Sequence, residues 1–408
     1  MDFALPYTEE QQQFREEVRT WLEANIPVEM RNPVDQRDLT EEMYWWWRGK
    51  NKEIAAKGWL FPSYPKEYGG GGLSGDHETI IEEEFLRAGV PGRGFTNGVI
   101  LPALLVWATE EQKEKFLRPI LTAEKVAWQK FTEPQSGADL ANYQSRAVRD
   151  GDDWVLEGQN AFIGGLYECD LLYGPMQTDP DAPRHRNLGY FMIDVPSPGL
   201  KLVEQDLLNG HEQHFIFFDK VRVPGDHLIG GDHQGWQVAN TTLEQEHGGR
   251  GQAFPRDDAV ENLITYAKGT KHNGVNLGTD PVVQQTTMDA FLDSHRNMLF
   301  GKRTYWMYTN RTEIMYEGNL SSVHGRESSL RIVKKVQDVM GMYALLNSHE
   351  PGVPFGGQEE DNQRVRAGQN HAGGSTNIAK VVLARRIGIS RTKERPAPTP
   401  STATSYGG

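Results

Sequence analysis

Two glutamates, Glu244 and Glu246, close the stretch GWQVANTTLEQEHGG, with Glu246 ten residues after Trp236. A carboxylate on a helix can act as a general base when burial raises its affinity for a proton. Being two positions apart, the pair is separated by roughly 200° around a helix, so both cannot face one pocket. Two further segments are rich in small residues: WQKFTEPQSGADL (Trp128 to Leu140) and HAGGSTNIAKVVLARRIGISR (His371 to Arg391). Glycines let a backbone come close to a large cofactor. A helix that begins after Gly373-Gly374 offers free N–H groups to a phosphate. Together these are the parts of a base and a cofactor cradle.

Other signals carry less. His211 and His214 are one residue short of the i,i+4 spacing of a metalloprotease helix and precede a strand-like run, so no metal site is expected. Cys169, the single cysteine, has no histidine paired with it in the local sequence and reads as structural. Arg184-His185-Arg186 reads as a solvated loop. There is no GxSxG and no P-loop.

The order and spacing of the three segments resemble the acyl-CoA dehydrogenase family of flavoproteins, over residues 5 to 391. Matching Gly235-Trp236 to the family's Gly-Trp puts Glu246 on the catalytic glutamate and His247 on the usual arginine. Other members carry the base just before the C-terminal Gly-Thr, where this chain has Gly373. Phe131-Thr132-Glu133-Pro134-Gln135-Ser136-Gly137-Ala138-Asp139 resembles Thr-Glu-Pro-x-x-Gly-Ser-Asp, with Ala138 in place of a serine. Gly158-Gln159-Asn160-Ala161-Phe162-Ile163-Gly164 resembles Gly-x-Lys-x-Trp-Ile-Thr, with Asn160 for lysine and Gly164 for threonine. An aromatic face at Phe162 suffices to pack on a flavin.

The resemblance implies FAD as cofactor, bordered by Phe131, Thr132, Gly137, Ala138, Phe162, Gly164, Gly374, Ser375 and Asn377. It implies an acyl-CoA substrate touched by Ala138, His247, Arg250 and Gly373, whose N–H would polarise the thioester carbonyl. Glu246 would take the α-proton while the flavin takes the β-hydride, since no side chain accepts a hydride. Glu244 stays open as the alternative base. Gly248-Gly249-Arg250-Gly251 reads equally as room for a bulky acyl group or as a helix break. An electron-transferring flavoprotein or similar acceptor and a homo- or heterotetramer, or dimer, are the implied partners. The family's Arg-x-Phe-Gly segment, which reaches a neighbouring subunit's FAD, is missing from KGTKHNGVNLGTDPVV (Lys268 to Val283). Two alternatives follow: a partner-requiring subunit with an incomplete flavin site, or a flavin monooxygenase or oxidase on the same fold.

The elements that must position these residues fall into three zones. Residues 1–126 have helical periodicity: Thr8-Glu-Glu-Gln11 has capping-box spacing, and Phe14, Val18 and Leu22 follow at helical intervals. Trp45-Trp46-Trp47 cannot bury three rings on one helix face. Ser74 or Asp76 is placed to cap a helix after PKEYGGGGLSG. Val99 to Ala108 reads as a buried helix. Residues 127–232 switch to strand-like runs, among them WVLEG from Trp154, LGYFMIDV from Leu188, KLVEQ from Lys201 and HFIFFDKVRVP from His214. Helical pattern returns over 233–391, with Ile378, Val381, Val382 and Ile387 on one face. The tail, 392–408, reads as disordered. The expected class is α+β: an N-terminal helical domain, a middle antiparallel β-barrel or sandwich, and a C-terminal four-helix bundle. A net charge of −13 disfavours nucleic acid and anionic membrane surfaces. The longest apolar run is about half a membrane span. With no signal-peptide pattern and one cysteine, a cytoplasmic protein with no membrane insertion is expected.

Overall fold

The computed structural model describes residues 7–91, 98–210, 213–247, 255–368 and 375–390, with the side chains of 244–247 outside the description. The chain begins as helices: α1 (Glu9–Asn25), α2 (Glu41–Ala56), α3 (Gly75–Ala88), α4 (Leu101–Trp107), α5 (Glu110–Gln112) and α6 (Arg118–Leu121). The capping box forms as expected, Thr8 Oγ1 accepting from the Gln11 amide at 3.2 Å and Gln11 Oε1 from the Thr8 amide at 2.9 Å. Val18 and Leu22 face inward and are fully buried. The tryptophan triplet splits as the 100° helical step requires: Trp47 is buried and Trp45 is 45% exposed. Ser74 stands at the N-cap of α3, but its hydroxyl is within 2.7 Å of His77 Nδ1 rather than capping an amide. The Val99 to Ala108 run is helical over α4, with Leu101, Ala103 and Leu104 buried.

Strands follow: β1 (Ala127–Gln129), β2 (Arg146–Asp150), β3 (Asp153–Gly164), β4 (Leu171–Gln177), β5 (Leu188–Asp194), β6 (Leu200–Gln205), β7 (Gln213–Pro224) and β8 (Leu228–Ile229). They form one sheet in the order β6-β7-β3-β2-β4-β5-β8, with β1 also on β4. The expectation of an antiparallel domain needs correcting at two places. β1 and β2 both pair parallel to β4, while the other pairs are antiparallel. β1 enters straight from the helical zone and β2 after a loop, so neither arrives by the hairpin that would force the antiparallel sense.

Beyond the sheet come α7 (Gly235–His247), α8 (Asp258–Gly269), the hairpin β9 (Lys271–His272) and β10 (Val275–Asn276), then α9 (Pro281–Thr309), α10 (Glu317–Met340), α11 (Gln358–Gly368) and α12 (Thr376–Arg386). The region expected to lack the arginine motif is this hairpin, turning at Asn273 and Gly274, both at positive φ. Ala259, Val260 and Leu263 of α8, Ala290 of α9 and Ile332, Val336 and Met340 of α10 form the third core. On α12 the expected single apolar face does not form: Ile378 and Val381 are exposed and Val382 is half-buried, while Ile387 is exposed just past the helix end, half a turn around from Ile378. Residues 391–408, which include the tail, lie outside the described residues, as do Gly248, Gly249, Arg250, Gly251, Gly373 and Gly374.

The helical core does not stop at the N-terminal zone. Its cluster continues through Leu171, Tyr173, Tyr190 and Met192 of the sheet into Val238 and Ala239 of α7. α7 therefore lies between the first helices and the sheet. Among the described residues no helix is long and apolar enough to cross a membrane.

Candidate active site

The loop after β1 is built around a buried carboxylate. Glu133 is 1% exposed and accepts from the amides of Gln144 at 2.6 Å and Ser145 at 2.7 Å, and from the Ser136 hydroxyl at 3.2 Å. Hydrogen bonds to a charged group contribute roughly 1.5–3 kcal/mol each, so Glu133 fixes the loop instead of offering a base. Its backbone carbonyl also accepts the Gly137 amide at 3.1 Å, closing a turn in which Gly137 takes φ +52°. Gly137 and Ala138 end up exposed at the tip, with Phe131 and Thr132 half-buried at the root. The turn is rigid and its rim is open.

β3 passes directly beside that root. The Ala161 amide and the Asn160 side-chain amide both donate to the Thr132 carbonyl, each at 3.0 Å. Between Asn160 and Ile163 the register against β7 slips by one residue, a bulge. The slip breaks the in–out alternation: Asn160 and Ala161 are both buried, and Phe162 is thrown outward at φ +58° with 55% of its surface exposed. Its amide donates to Gln205 Oε1 on β6 at 2.9 Å. Gly164 follows, paired with Gln213. An aromatic ring presented to the outside on a pinned bulge is a platform for a flat ligand.

α7 reaches the same place from the other side. Thr242 is fully buried, 3.2 Å from the Tyr190 hydroxyl of β5, and Tyr190 meets Phe131 edge-on with ring centroids 6.2 Å apart. Trp107 Nε1 donates to Thr241 at 3.0 Å, fastening the helix to α4. The first turn of α7 carries Trp236, whose ring lies tilted against His185 with centroids 4.5 Å apart. Arg184 pairs with Asp139 of the Glu133 loop, and the Arg186 carbonyl lies 2.7 Å from His233 Nδ1. The Arg184–Arg186 loop is exposed, as the sequence implied, yet its contacts tie the Glu133 loop to the start of α7. Sequence reasoning missed that role because nothing in an RHR tripeptide names its partners.

At the C-terminus, Ser375 is the N-cap of α12, its hydroxyl accepting the Ile378 amide at 3.2 Å. Asn377 is exposed on the first turn. The structure thus binds Thr132 to β3 through Ala161 and Asn160, the residues just before Phe162, while the ring of Phe131 meets Tyr190, and Gly164 follows at the end of the strand. It carries Gly137 and Ala138 on the same loop. The side chains of Glu244, Glu246 and His247, and all of Arg250, Gly373 and Gly374, fall outside the described residues.

Three buried polar residues under the loop were not picked out as a site. Lys130 is fully buried, its Nζ 2.7 Å from the Pro175 carbonyl and 3.1 Å from the Tyr143 hydroxyl. Burial pulls its pKa down to about 7, partly opposed by the Glu133 charge. The Tyr143 hydroxyl also accepts from Asn160 Nδ2 at 2.6 Å and donates to the Lys130 carbonyl at 3.0 Å. A lysine inside the apolar strand-to-loop passage AWQKF was the available signal. Cys169 is buried, and burial pushes its thiol up, away from the reactive range. Among the described residues no group of three or more His, Cys, Asp or Glu is arranged to hold a metal ion.

Comparison with known proteins follows the same layout. Residues 8–124 match the model of the acyl-CoA dehydrogenase N-terminal domain, and residues 129–221 that of the acyl-CoA dehydrogenase middle domain. The acyl-CoA dehydrogenase FadE29 of Mycobacterium tuberculosis is 28% identical over 347 residues, covering 84% of this chain and 87% of that protein. The ChsE4–ChsE5 complex from Mycobacterium tuberculosis superposes with a TM-score of 0.82 at 24% identity, over 95% of this chain and all of its counterpart. A structure described as the Tcur3481–Tcur3483 steroid ACAD superposes with a TM-score of 0.82 at 25% identity, over 97% of this chain and all of its counterpart.

Proposed function

This chain belongs to the acyl-CoA dehydrogenase family, and we propose that Glu246 is the base with which it removes the α-proton of a CoA thioester. It is an FAD-dependent oxidoreductase that introduces a double bond between the α and β carbons. The observation that carries the Glu246 assignment is the buried stripe of α7. Positions 235, 239, 242 and 246 are spaced by four, three and four, one helical face, and Gly235, Ala239 and Thr242 on it are buried. Thr242 is the residue that meets the sheet beside Phe131. Position 244 falls with Gln237, Asn240 and Thr241, which are only half-buried. A base must be desolvated to hold the weakly acidic α-proton, and the 246 stripe leads to the drier side.

The described residues fit FAD. Phe162 presents an open ring face, a Cβ added at Gly137 meets nothing within 4 Å, and one at Gly164 meets only the Gln213 side chain at 3.7 Å. Bound there, FAD supplies the acceptor for the electron pair that no side chain can hold. Phe131, Thr132 and Phe162 line the ring system. Gly164 would lie by the reactive part of the ring, and Gly137, Ala138, Gly374, Ser375 and Asn377 would border the rest of the cofactor, with the start of α12 able to offer N–H groups to its phosphates. Ala138, His247 and Arg250 contact the thioester, and the Gly373 amide donates to its carbonyl oxygen. That donation stabilises the enolate charge and makes the α-proton easier for Glu246 to take.

The substrate reading follows the neighbours: a CoA thioester of a steroid-type acyl group, accommodated by Gly248, Gly249 and Gly251. A neighbour described as the ChsE4–ChsE5 complex and one described as the Tcur3481–Tcur3483 steroid ACAD support a heteromeric assembly, with the exposed Ile378 and Val381 of α12 at the contact between chains. Neither the monooxygenase or oxidase reading nor that of a subunit inactive on its own is favoured. The same reading takes residues 1–126, 127–232 and 233–391 as domains, the sheet as a barrel or sandwich, the last helices as a four-helix bundle, an electron-transferring flavoprotein as acceptor, and the cytoplasm as location. Glu246→Gln should lower turnover of acyl-CoA by about a thousandfold while FAD content stays at the wild-type level. Glu244→Gln should leave turnover intact. The reverse pattern would transfer the role to Glu244.

A further inference from the structure

Lys130 is a lysine fully withdrawn from water without a carboxylate in hydrogen-bond contact. Isolating such a charge costs several kcal/mol, so its surroundings must either compensate or use it. The compensation is partial: the Pro175 carbonyl at 2.7 Å, Met176 Sδ at 3.0 Å, and the rings of Tyr143 and Phe218 with centroids 5.0 and 5.4 Å away. Glu133, the nearest acid to influence it, has its carboxylate engaged by the Gln144 and Ser145 amides. β4 makes room for the chain at Gly174, where a Cβ would come 3.0 Å from Lys130 Cγ.

From Nζ a continuous path runs to the cofactor loop. Lys130 Nζ touches the Tyr143 hydroxyl, the Tyr143 hydroxyl accepts from Asn160 Nδ2, and the same Nδ2 donates to the Thr132 carbonyl. Asn160 is fully buried and its Oδ1 has no hydrogen-bond partner, so this side chain is oriented through its Nδ2 contacts alone. Asn160 occupies the strand position at which the resembling pattern carries a lysine. Lys130, just past the end of β1, delivers an amine to the same polar pocket through Tyr143.

We propose that Lys130 is a positioning residue for the flavin-binding loop, its amine holding Tyr143 and Asn160 so that the Thr132 carbonyl, and with it the Thr132 and Phe162 backbones, keep the shape that receives FAD. The proposal rests on the FAD reading of this site. What matters is an amine in this pocket, not the segment it comes from.

The test compares Lys130→Met, and Lys130→Met combined with Asn160→Lys, in the full chain, with FAD as the probe and amide exchange of the flavin-free protein as a second readout. In Lys130→Met, FAD should bind about tenfold more weakly, and the Ala161 amide, which donates to Thr132, should exchange faster. The double variant, which returns the amine from the other strand, should restore both. Loss of FAD binding that the double variant does not restore would overturn the proposal, as would wild-type FAD binding and exchange in Lys130→Met. If Lys130→Met fails to fold, the double variant decides alone: folded with wild-type FAD affinity supports the proposal, and any other state overturns it. Should the wild-type chain itself bind no FAD, the flavin reading fails. The exchange comparison would still show whether Lys130 shapes the loop.

Discussion

Adjacent glycines at the end of β3 have opposite tolerances. At Gly164 an added Cβ would meet only the end of a flexible glutamine, while at Gly165 it would run into the Trp128 indole and face φ +158°. Trp128 is itself buried against His214, ring centroids 4.9 Å apart, and cannot turn aside. Gly165→Ala should therefore destabilise the protein by roughly 2 kcal/mol, an overpacking cost, visible as a fall in melting temperature. Gly164→Thr should leave melting unchanged and strengthen FAD retention by returning a hydroxyl to the edge of the site. A melting loss for Gly164→Thr as large as for Gly165→Ala would contradict this account of the local space. The sequence identified Gly164 as a departure. It was silent on Gly165, because a close approach between a strand end and an indole from β1 is a tertiary fact.

At the scale of elements, one acid holds the two long helices together. Asp293 on α9 is 5% exposed and accepts from Arg331 at 3.0 Å and Lys335 at 3.0 Å, both on α10, and from Arg296 at 3.2 Å. The hydrogen bond from Arg331, then that from Lys335 and both charges, outweigh burial and hold its pKa down to about 2. A carboxyl lowered in the folded state contributes stability that is fully present above its unfolded value of 3.8 and is lost as pH falls through about 2. Asp293→Asn should lower the melting temperature at neutral pH, and the gap to wild type should close as the pH drops across that window. A gap independent of pH would show that shape, not charge, is what Asp293 supplies. Periodicity revealed the helices and their capping, as at Thr8 and Gln11. It did not reveal which charge on α9 faces α10, nor that β1 and β2 run parallel to β4, because both depend on how distant segments meet. The apolar residues of α12 were equally legible, but not as one stripe, since Ile387 falls past the helix end and half a turn from Ile378.

Across the whole molecule the first helices and the C-terminal helices are joined directly. Tyr305 of α9 donates to Asp76 of α3 at 3.0 Å, and Arg364 of α11 reaches Asp35 at 2.8 Å, where Arg37 also pairs with Asp35. Arg364 also pairs with Glu360 and Asp361 of its own helix, and burial raises Asp361 to about 6. α7 is set between the first helices and the sheet by its own contacts, Trp107 to Thr241 at 3.0 Å and Tyr190 to Thr242 at 3.2 Å. The proposed site draws on all three zones, and each motif alone says little. The most direct test of the account is to follow the visible absorbance of flavin bound to this protein as steroid-type and straight-chain acyl-CoA thioesters are added without oxygen. A thioester should bleach the wild-type flavin and leave that of Glu246→Gln unchanged. Flavin that no thioester bleaches, or equal bleaching in Glu246→Gln, would contradict it.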